Sequence, residues 1–214
     1  MKKKHIIFDF DGTIFNSNRV IVDSWQAVFR HYTGHEGDEK EIYHTFGETI
    51  RYTVQKFFPE ADVDEAVKIY RAYQDAHYEG LVGLFDGTRE MMDKMREGGH
   101  TLSVVTSRTK STTLHYLAEL GIQDYFDVLV TCDDTDRHKP DPEPLRMALR
   151  ALSAEPEEAI MLGDTKFDIG CCNNAGVDSI LVGWSHDIDE TELEALGYQP
   201  TYRVKTPAEV LDLI

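Results

Sequence analysis

Cysteine is scarce in this chain: Cys132 stands alone and Cys171 and Cys172 are adjacent. Three thiols so placed make neither the even, spaced set of a disulfide framework nor the paired spacing of a C-x-x-C metal or redox site. They suit a reducing compartment, and a cytoplasmic location is expected. Long apolar runs are missing too. The run that follows the lysines near the start is interrupted at Asp9, well short of the ~20 residues of a membrane span or the apolar centre of a signal peptide. Positive charge is also in deficit, with 22 Lys and Arg against 39 Asp and Glu and a net charge of -17. Such a field repels polynucleotides and anionic lipid, so neither nucleic acid nor membrane is expected as a partner. A phosphorylated ligand would need local help from a few placed cations or a metal. Repeats, low-complexity tracts and proline-rich linkers are lacking as well.

What is present is ordinary globular composition, with 41% hydrophobic and 29% charged residues, and 214 residues are enough for one core domain with a smaller inserted one. Short apolar runs recur at Ile6 to Phe8, Leu102 to Val105, Val128 to Val130, Ile160 to Leu162 and Ile180 to Val182. Their continuity predicts parallel strands covered on both faces. Helix-like segments alternate with them. Ser111 to Leu120, for example, offers a capping serine, apolar Leu114, Leu117 and Ala118, and Gly121 as a stop. The alternation predicts an α/β fold with a Rossmann-like three-layer core. From about Asn16 to Leu81 no strand is evident, and Val63, Ala66, Val67, Tyr70, Tyr73 and His77 recur at helical spacing. Residues 16–81 are therefore expected to be an inserted all-helical cap domain, with 1–15 and 82–214 forming the core. Met91, Met92 and Met95 are expected to pack a helix on the sheet, as are Cys171 and Cys172, and Tyr70 and Tyr73 to lie mostly in a core.

In open parallel sheets ligands bind beyond the carboxyl ends of the strands. Here those ends deliver Asp9, Asp11, Gly12 and Thr13; then Thr106, Ser107 and Arg108; then Lys139; then Gly163, Asp164 and Thr165, with Asp168 close behind. Four carboxylates brought within about 4 Å would repel by roughly 4 kcal/mol per pair at an effective dielectric near 20. A bound cation, or protonation, must relieve this. The candidate ligands are all oxygens, which favours Mg2+ over zinc, with calcium a weaker option. An EF-hand is excluded because glycine directly follows the second aspartate. Alternation along an extended strand would let Asp9 and Asp11 share one site, with Gly12 permitting the turn. One carboxylate can then attack phosphorus while the other manages the proton. Thr106 and Ser107 would hold phosphoryl oxygens through hydroxyl and N–H groups, and Lys139 would supply the positive charge the surface lacks.

The stretches DFDGT (Asp9 to Thr13), VVTSR (Val104 to Arg108), KPDPEP (Lys139 to Pro144) and MLGDTKFDI (Met161 to Ile169) resemble, in order and separation, the motifs of the haloacid dehalogenase superfamily. The resemblance spans essentially the whole chain, and the insertion is similar to the helical cap of its phosphoglycolate phosphatase and β-phosphoglucomutase types. It implies a core strand order 3-2-1-4-5, Mg2+ dependence, Asp9 as nucleophile and Asp11 as acid/base. It also implies metal ligands from the Asp9 side chain, the Asp11 carbonyl and Asp164, with Asp168 orienting the metal shell or Lys139. Aspartate at 11 disfavours the dehalogenase branch, and Gly163 stands where the phosphoglucomutases usually carry glutamate. The chain looks most like the branch of inorganic pyrophosphatases close to phosphoglycolate phosphatase. The implied activity is a phosphatase, either a phosphoric monoester hydrolase on a small phosphorylated metabolite or a pyrophosphatase, working as monomer or homodimer. The alternatives are a phosphomutase and a noncatalytic sensor of a phosphorylated ligand. In the cap, Thr49 and Arg51 after Gly47 are candidate contacts to substrate.

Overall fold

The first apolar run becomes the central strand of a sheet because helices on both faces leave it no solvent side. The computed structural model describes residues 3–186 and 190–214. Its strands are β1 (His5–Phe8), β2 (Phe15–Asn16), β3 (Gly83–Leu84), β4 (Thr101–Val105), β5 (Phe126–Val130), β6 (Ala159–Gly163), β7 (Asp178–Val182) and β8 (Tyr202–Val204). Six of these form one sheet in the order β5-β4-β1-β6-β7-β8, every neighbouring pair parallel. The five apolar runs take the expected order. The sixth, β8, was not expected: it is three residues long with Tyr202 and Arg203 exposed and only Val204 buried, so it carries no apolar run.

Four helices lie between β2 and β3: α1 (Asn18–Thr33), α2 (Glu39–Tyr43), α3 (Ile50–Phe57) and α4 (Val63–His77). β2 and β3 pair antiparallel, with Phe15 opposite Leu84, so the chain leaves the sheet and returns at one place. Val22, Trp25, Val28, Ile42, Val54, Ala66 and Tyr70 form the helices' own apolar cluster. Asp62 caps α4 by accepting the N–H groups of Asp64 and Glu65, which satisfies two donors that a helix start leaves open. The apolar stripe of α4 turns away before its end. Gln74 is buried, whereas Tyr73 is only half-buried and stacks on exposed His77 at 4.1 Å, so Tyr73 is no core residue.

The remaining helices, α5 (Thr88–Glu97), α6 (Lys110–Glu119), α7 (Glu143–Leu152), α8 (Lys166–Ala175), α9 (Glu190–Leu196) and α10 (Pro207–Val210), complete the chain. Strand alternation sorts the two faces of the sheet. Ile6 and Phe8 pack with Met91, Met92 and Met95 of α5, and Ile7 packs with Leu145 of α7 and Cys171 and Cys172 of α8. The methionines and the paired cysteines are thus packing residues. At α6 the helix begins one residue before Ser111, and the N-cap position belongs to Thr109. The serine reading fails because Thr109, four residues beyond the end of β4, takes the extended N-cap conformation at φ -68 and ψ 152 and the helix starts at Lys110. Among the described residues no helix is long and apolar enough to cross a membrane.

Candidate active site

The register of the sheet builds the site. Phe8 lies opposite Val104 on one side and Leu162 on the other, so β1, β4 and β6 end level and the residues just past them share one edge. Asp9 follows β1 and donates its N–H to the Leu162 carbonyl at 2.9 Å. Asp164 follows β6, and Asp168 lies in the first turn of α8, where it accepts the Thr165 N–H at 3.1 Å and the Thr165 hydroxyl at 2.6 Å. Lys139 enters from the loop after β5. Its ammonium donates to Asp9 Oδ1 at 2.6 Å, to Asp168 Oδ1 at 2.5 Å and to the Val105 carbonyl at 3.3 Å.

All four side chains are buried. One oxygen from each of Asp9, Asp164 and Asp168 lies within 4.8 Å of the others. Three carboxylates against one ammonium leave two negative charges out of water, a cost that a divalent cation would cancel. Burial is the main cause that pushes the Asp9 carboxyl well above its ordinary range, reinforced by Asp168 and Asp164 and only partly opposed by Lys139. Asp164 is raised as well, again chiefly by burial, with His186 opposing. Burial alone would lower the Lys139 pKa, yet Asp168 and Asp9 together hold it above the usual lysine value. The donor set also fits a hard cation. It is all oxygen, and Asp164 Oδ1 is buried with no hydrogen-bond partner while Oδ2 accepts the Ser185 hydroxyl at 2.8 Å.

Two glycines make this approach possible. A Cβ on Gly12, whose φ is +79, would fall 1.9 Å from Asp164 Oδ2, and one on Gly163 would fall 2.3 Å from the Asp168 Cβ. Thr13 is buried, and its carbonyl accepts the Trp184 indole N–H at 3.0 Å, which ties the turn to the chain after β7.

Asp11 stands apart from the three-carboxylate group, so the expected convergence of four is corrected to three. Strand geometry ends at Phe8 and the chain bends at Phe10, which turns Asp11 toward β4 instead of along a shared strand face. Arg108 holds it from both sides, with Nε to Oδ2 at 2.9 Å and Nη2 to Oδ1 at 2.7 Å, and the Ser17 hydroxyl adds 2.5 Å to Oδ1. Burial pushes this carboxyl up, but the guanidinium outweighs it and leaves Asp11 below the usual carboxylate range.

Asp9 and Asp11 both line a cavity of about 380 Å³ between the strand ends and the helices. Thr106 and Ser107 line it too. The Thr106 N–H is spent on the Val130 carbonyl at 3.0 Å, and the Ser107 hydroxyl donates to the Gly47 carbonyl at 2.7 Å, bridging strand end and helical segment. Thr49 and Arg51 reach the same cavity. Thr49 is the N-cap residue of α3, and the Arg51 guanidinium pairs with exposed Asp64 at 2.7 Å.

The profile of haloacid dehalogenase-like hydrolases matches residues 6–182. The chain belongs to this family. Members similar over full length include the pyrophosphatase PpaX of Halalkalibacterium halodurans, 32% identical with 100% of this chain and 98% of the relative covered. The PpaX of Bacillus mycoides is 31% identical with the same coverage. The structure of a haloacid dehalogenase-like hydrolase family protein from Streptococcus pneumoniae superposes with a TM-score of 0.84 at 26% identity, covering 99% of this chain and 98% of that one. This haloacid dehalogenase-like hydrolase is accordingly an enzyme.

Several residues around the family's strand-end cluster escaped the sequence reading. Ser185 and His186, which hold Asp164 Oδ2 at 2.8 and 3.3 Å, follow β7. Reading the fifth strand end as the first four were read would have found them. Arg108 was visible at a strand end but had no assigned partner. Arg71, Gln74 and Tyr70 of α4 line the cavity, yet nothing in a helical repeat marks which turn will face a ligand.

Proposed function

We propose that the chain is a Mg2+-dependent phosphohydrolase acting through an aspartyl phosphate on a small phosphorylated metabolite or pyrophosphate. Residues 16–81 would serve as the cap over a core of 1–15 and 82–214. The observation that carries the reading is the pairing of buried Asp9 with Lys139 at 2.6 Å, at the floor of a cavity that also receives Asp11.

Asp9 Oδ1 is engaged by Lys139, so Oδ2 is the oxygen assigned to attack phosphorus. The bond to the leaving oxygen breaks as the bond to Asp9 forms, and Asp11 gives the departing oxygen a proton. Water then attacks the phosphorus of the aspartyl phosphate, Asp11 takes its proton, and Asp9 is released with free phosphate. The ion pair with Arg108 favours charged Asp11, the form the second step uses, while the proton of the first step must be gained against it. Lys139, the Thr106 hydroxyl and the Ser107 N–H would bear the negative charge on the phosphoryl oxygens. The Asp9 side chain, the Asp11 carbonyl and Asp164 would hold Mg2+, with Asp168 fixing Lys139 beside them. When bound, the ion neutralises phosphoryl charge so that an anionic carboxylate can approach an anionic substrate.

The test is phosphate release from p-nitrophenyl phosphate, phosphoglycolate and pyrophosphate, with Mg2+ and with chelator. Release that needs Mg2+ and vanishes in Asp9→Asn is expected. Release independent of Asp9 would refute the assignment.

A further inference from the structure

Two guanidiniums face each other across the cavity, one past the end of β4 and one on α4, and only one of them is met by a carboxylate. Arg108 and Arg71 both line the cavity, in a protein whose net charge is -17. The Arg108 side chain is 5% exposed. Its plane is fixed over the rings of Phe15 and Tyr116, at 5.6 and 5.0 Å from their centres. Two of its nitrogens serve Asp11, and the third, Nη1, is buried without a partner. Arg71, on α4, gives Nη1 to Gln74 Oε1 at 2.7 Å and lies 5.8 Å from the centre of the Tyr70 ring. Among the described residues no carboxylate is in ion-pair contact with it. Burial first, and the charge of Arg108 second, lower its pKa. Arg51 differs: its charge is already met by Asp64 at 2.7 Å. Of the carboxylates that line the cleft, Asp9 pairs with Lys139, Glu48 with Lys56 and Asp11 with Arg108, and Asp133 accepts the Lys110 N–H, so the charge of Arg71 and one donor of Arg108 are left for a ligand. Keeping a desolvated cation with an unused donor is unfavourable unless something arrives to use it. The planar fork of arginine matches a carboxylate or phosphate.

We propose that Arg71 and Arg108 form a subsite for a second anionic group on the substrate, opposite the phosphoryl group held at Asp9 and Lys139. The enzyme then prefers compounds with two anionic groups, a phosphoanhydride or a phosphate ester bearing a carboxylate, over phosphate esters with a neutral leaving group. This rests on the phosphohydrolase reading above and names the substrate class of that same site.

The experiment measures kcat/KM with Mg2+ for pyrophosphate, phosphoglycolate and p-nitrophenyl phosphate, in the unaltered chain, Arg71→Met and Arg71→Lys, with circular dichroism as the check on folding. Arg71→Met is expected to lower the ratio of kcat/KM for the doubly anionic substrates over that for p-nitrophenyl phosphate by at least about tenfold, or ~1.4 kcal/mol, mainly through KM. Arg71→Lys should recover part of it. A fall with pyrophosphate alone identifies a phosphate as the second anion, and a fall with phosphoglycolate alone identifies a carboxylate. A ratio unchanged in folded Arg71→Met overturns the subsite. Asp9-dependent hydrolysis of p-nitrophenyl phosphate would still stand in that case, which separates failure of the subsite from failure of the phosphohydrolase reading. Should Arg71→Met not fold, Arg71→Lys and Arg71→Gln are compared in the same way, and an unchanged ratio there is equally fatal.

Discussion

The two walls of the cleft are built on different terms. On the sheet side, Asp9, Asp164, Asp168 and Lys139 are buried and cross-bonded, and their positions follow from three parallel strands ending level. On the helical side, Thr49, Arg51 and Arg71 come from α3 and α4, and their partners, Asp64 and Gln74, belong to the same helical segment. A wall fixed by sheet register can hold a reacting atom within tenths of an ångström. A wall of packed helices tolerates substitution along its rim. On the proposed function, chemistry belongs to the first wall and most of the choice of substrate to the second.

The largest effect should come from the sheet wall. Asp9→Asn keeps the shape but removes the attacking charge, so turnover in a phosphate-release assay should fall at least about 10⁴-fold while the circular dichroism spectrum stays native. Lys139→Ala comes next. It leaves Asp9 and Asp168 facing each other without their shared cation, so activity should drop roughly 10²- to 10³-fold. Urea unfolding should show a loss of about 3 to 5 kcal/mol. A milder outcome than for a rim residue would erase the contrast between the walls.

That contrast also governs what could be read in advance. The five apolar runs and the positions of Asp9, Asp164 and Asp168 just past them were legible because strand ends are marked by abrupt changes from apolar to polar residues, whereas the order of those runs in the sheet came from the resemblance to the haloacid dehalogenase superfamily. β8 was not legible, since a three-residue edge strand with one buried side chain leaves no pattern. The direction of Asp11 was not legible either. Alternation describes a continuing strand, and this one stops at Phe8, so Arg108 across the sheet edge decides where the carboxylate points. Arg71 sits two turns into a helix whose repeat says only which face is apolar, and its neighbour Arg108 is 37 positions away in the chain.

The charge surplus on the sheet wall predicts a pH effect. Asp9 and Asp164 have folded-state pKa values raised above those of the unfolded chain, so metal-free protein binds more protons folded than unfolded in the interval between the two values. Its stability should therefore be fullest below the ordinary carboxylate range and decline as pH rises through the folded values. Bound Mg2+ would cancel the penalty. Thermal melts with and without the ion should differ by about 2.7 kcal/mol at about pH 8 when the ion is at a hundredfold excess over its Kd there, and by less at about pH 5 at the same ion concentration. An equal or reversed difference would count against the acidic cluster as the ion's site.

The smallest effect is expected at the rim. Arg51→Ala removes an exposed ion pair, worth about 0.2 to 1 kcal/mol, and should change kcat/KM less than about threefold. A larger loss would move Arg51 into the recognition wall beside Arg71.

The covalent step is the centre of the account, and it can be caught directly. Enzyme mixed with a stoichiometric amount of substrate and Mg2+ is quenched in acid within a single turnover, digested, and the peptides weighed, with Asp11→Asn run alongside to slow the second step. The account predicts the mass of one phosphoryl group on Asp9, more abundant in Asp11→Asn than in the unaltered chain. Full turnover with Asp9 unmodified, or the phosphoryl group on any other residue, would contradict it.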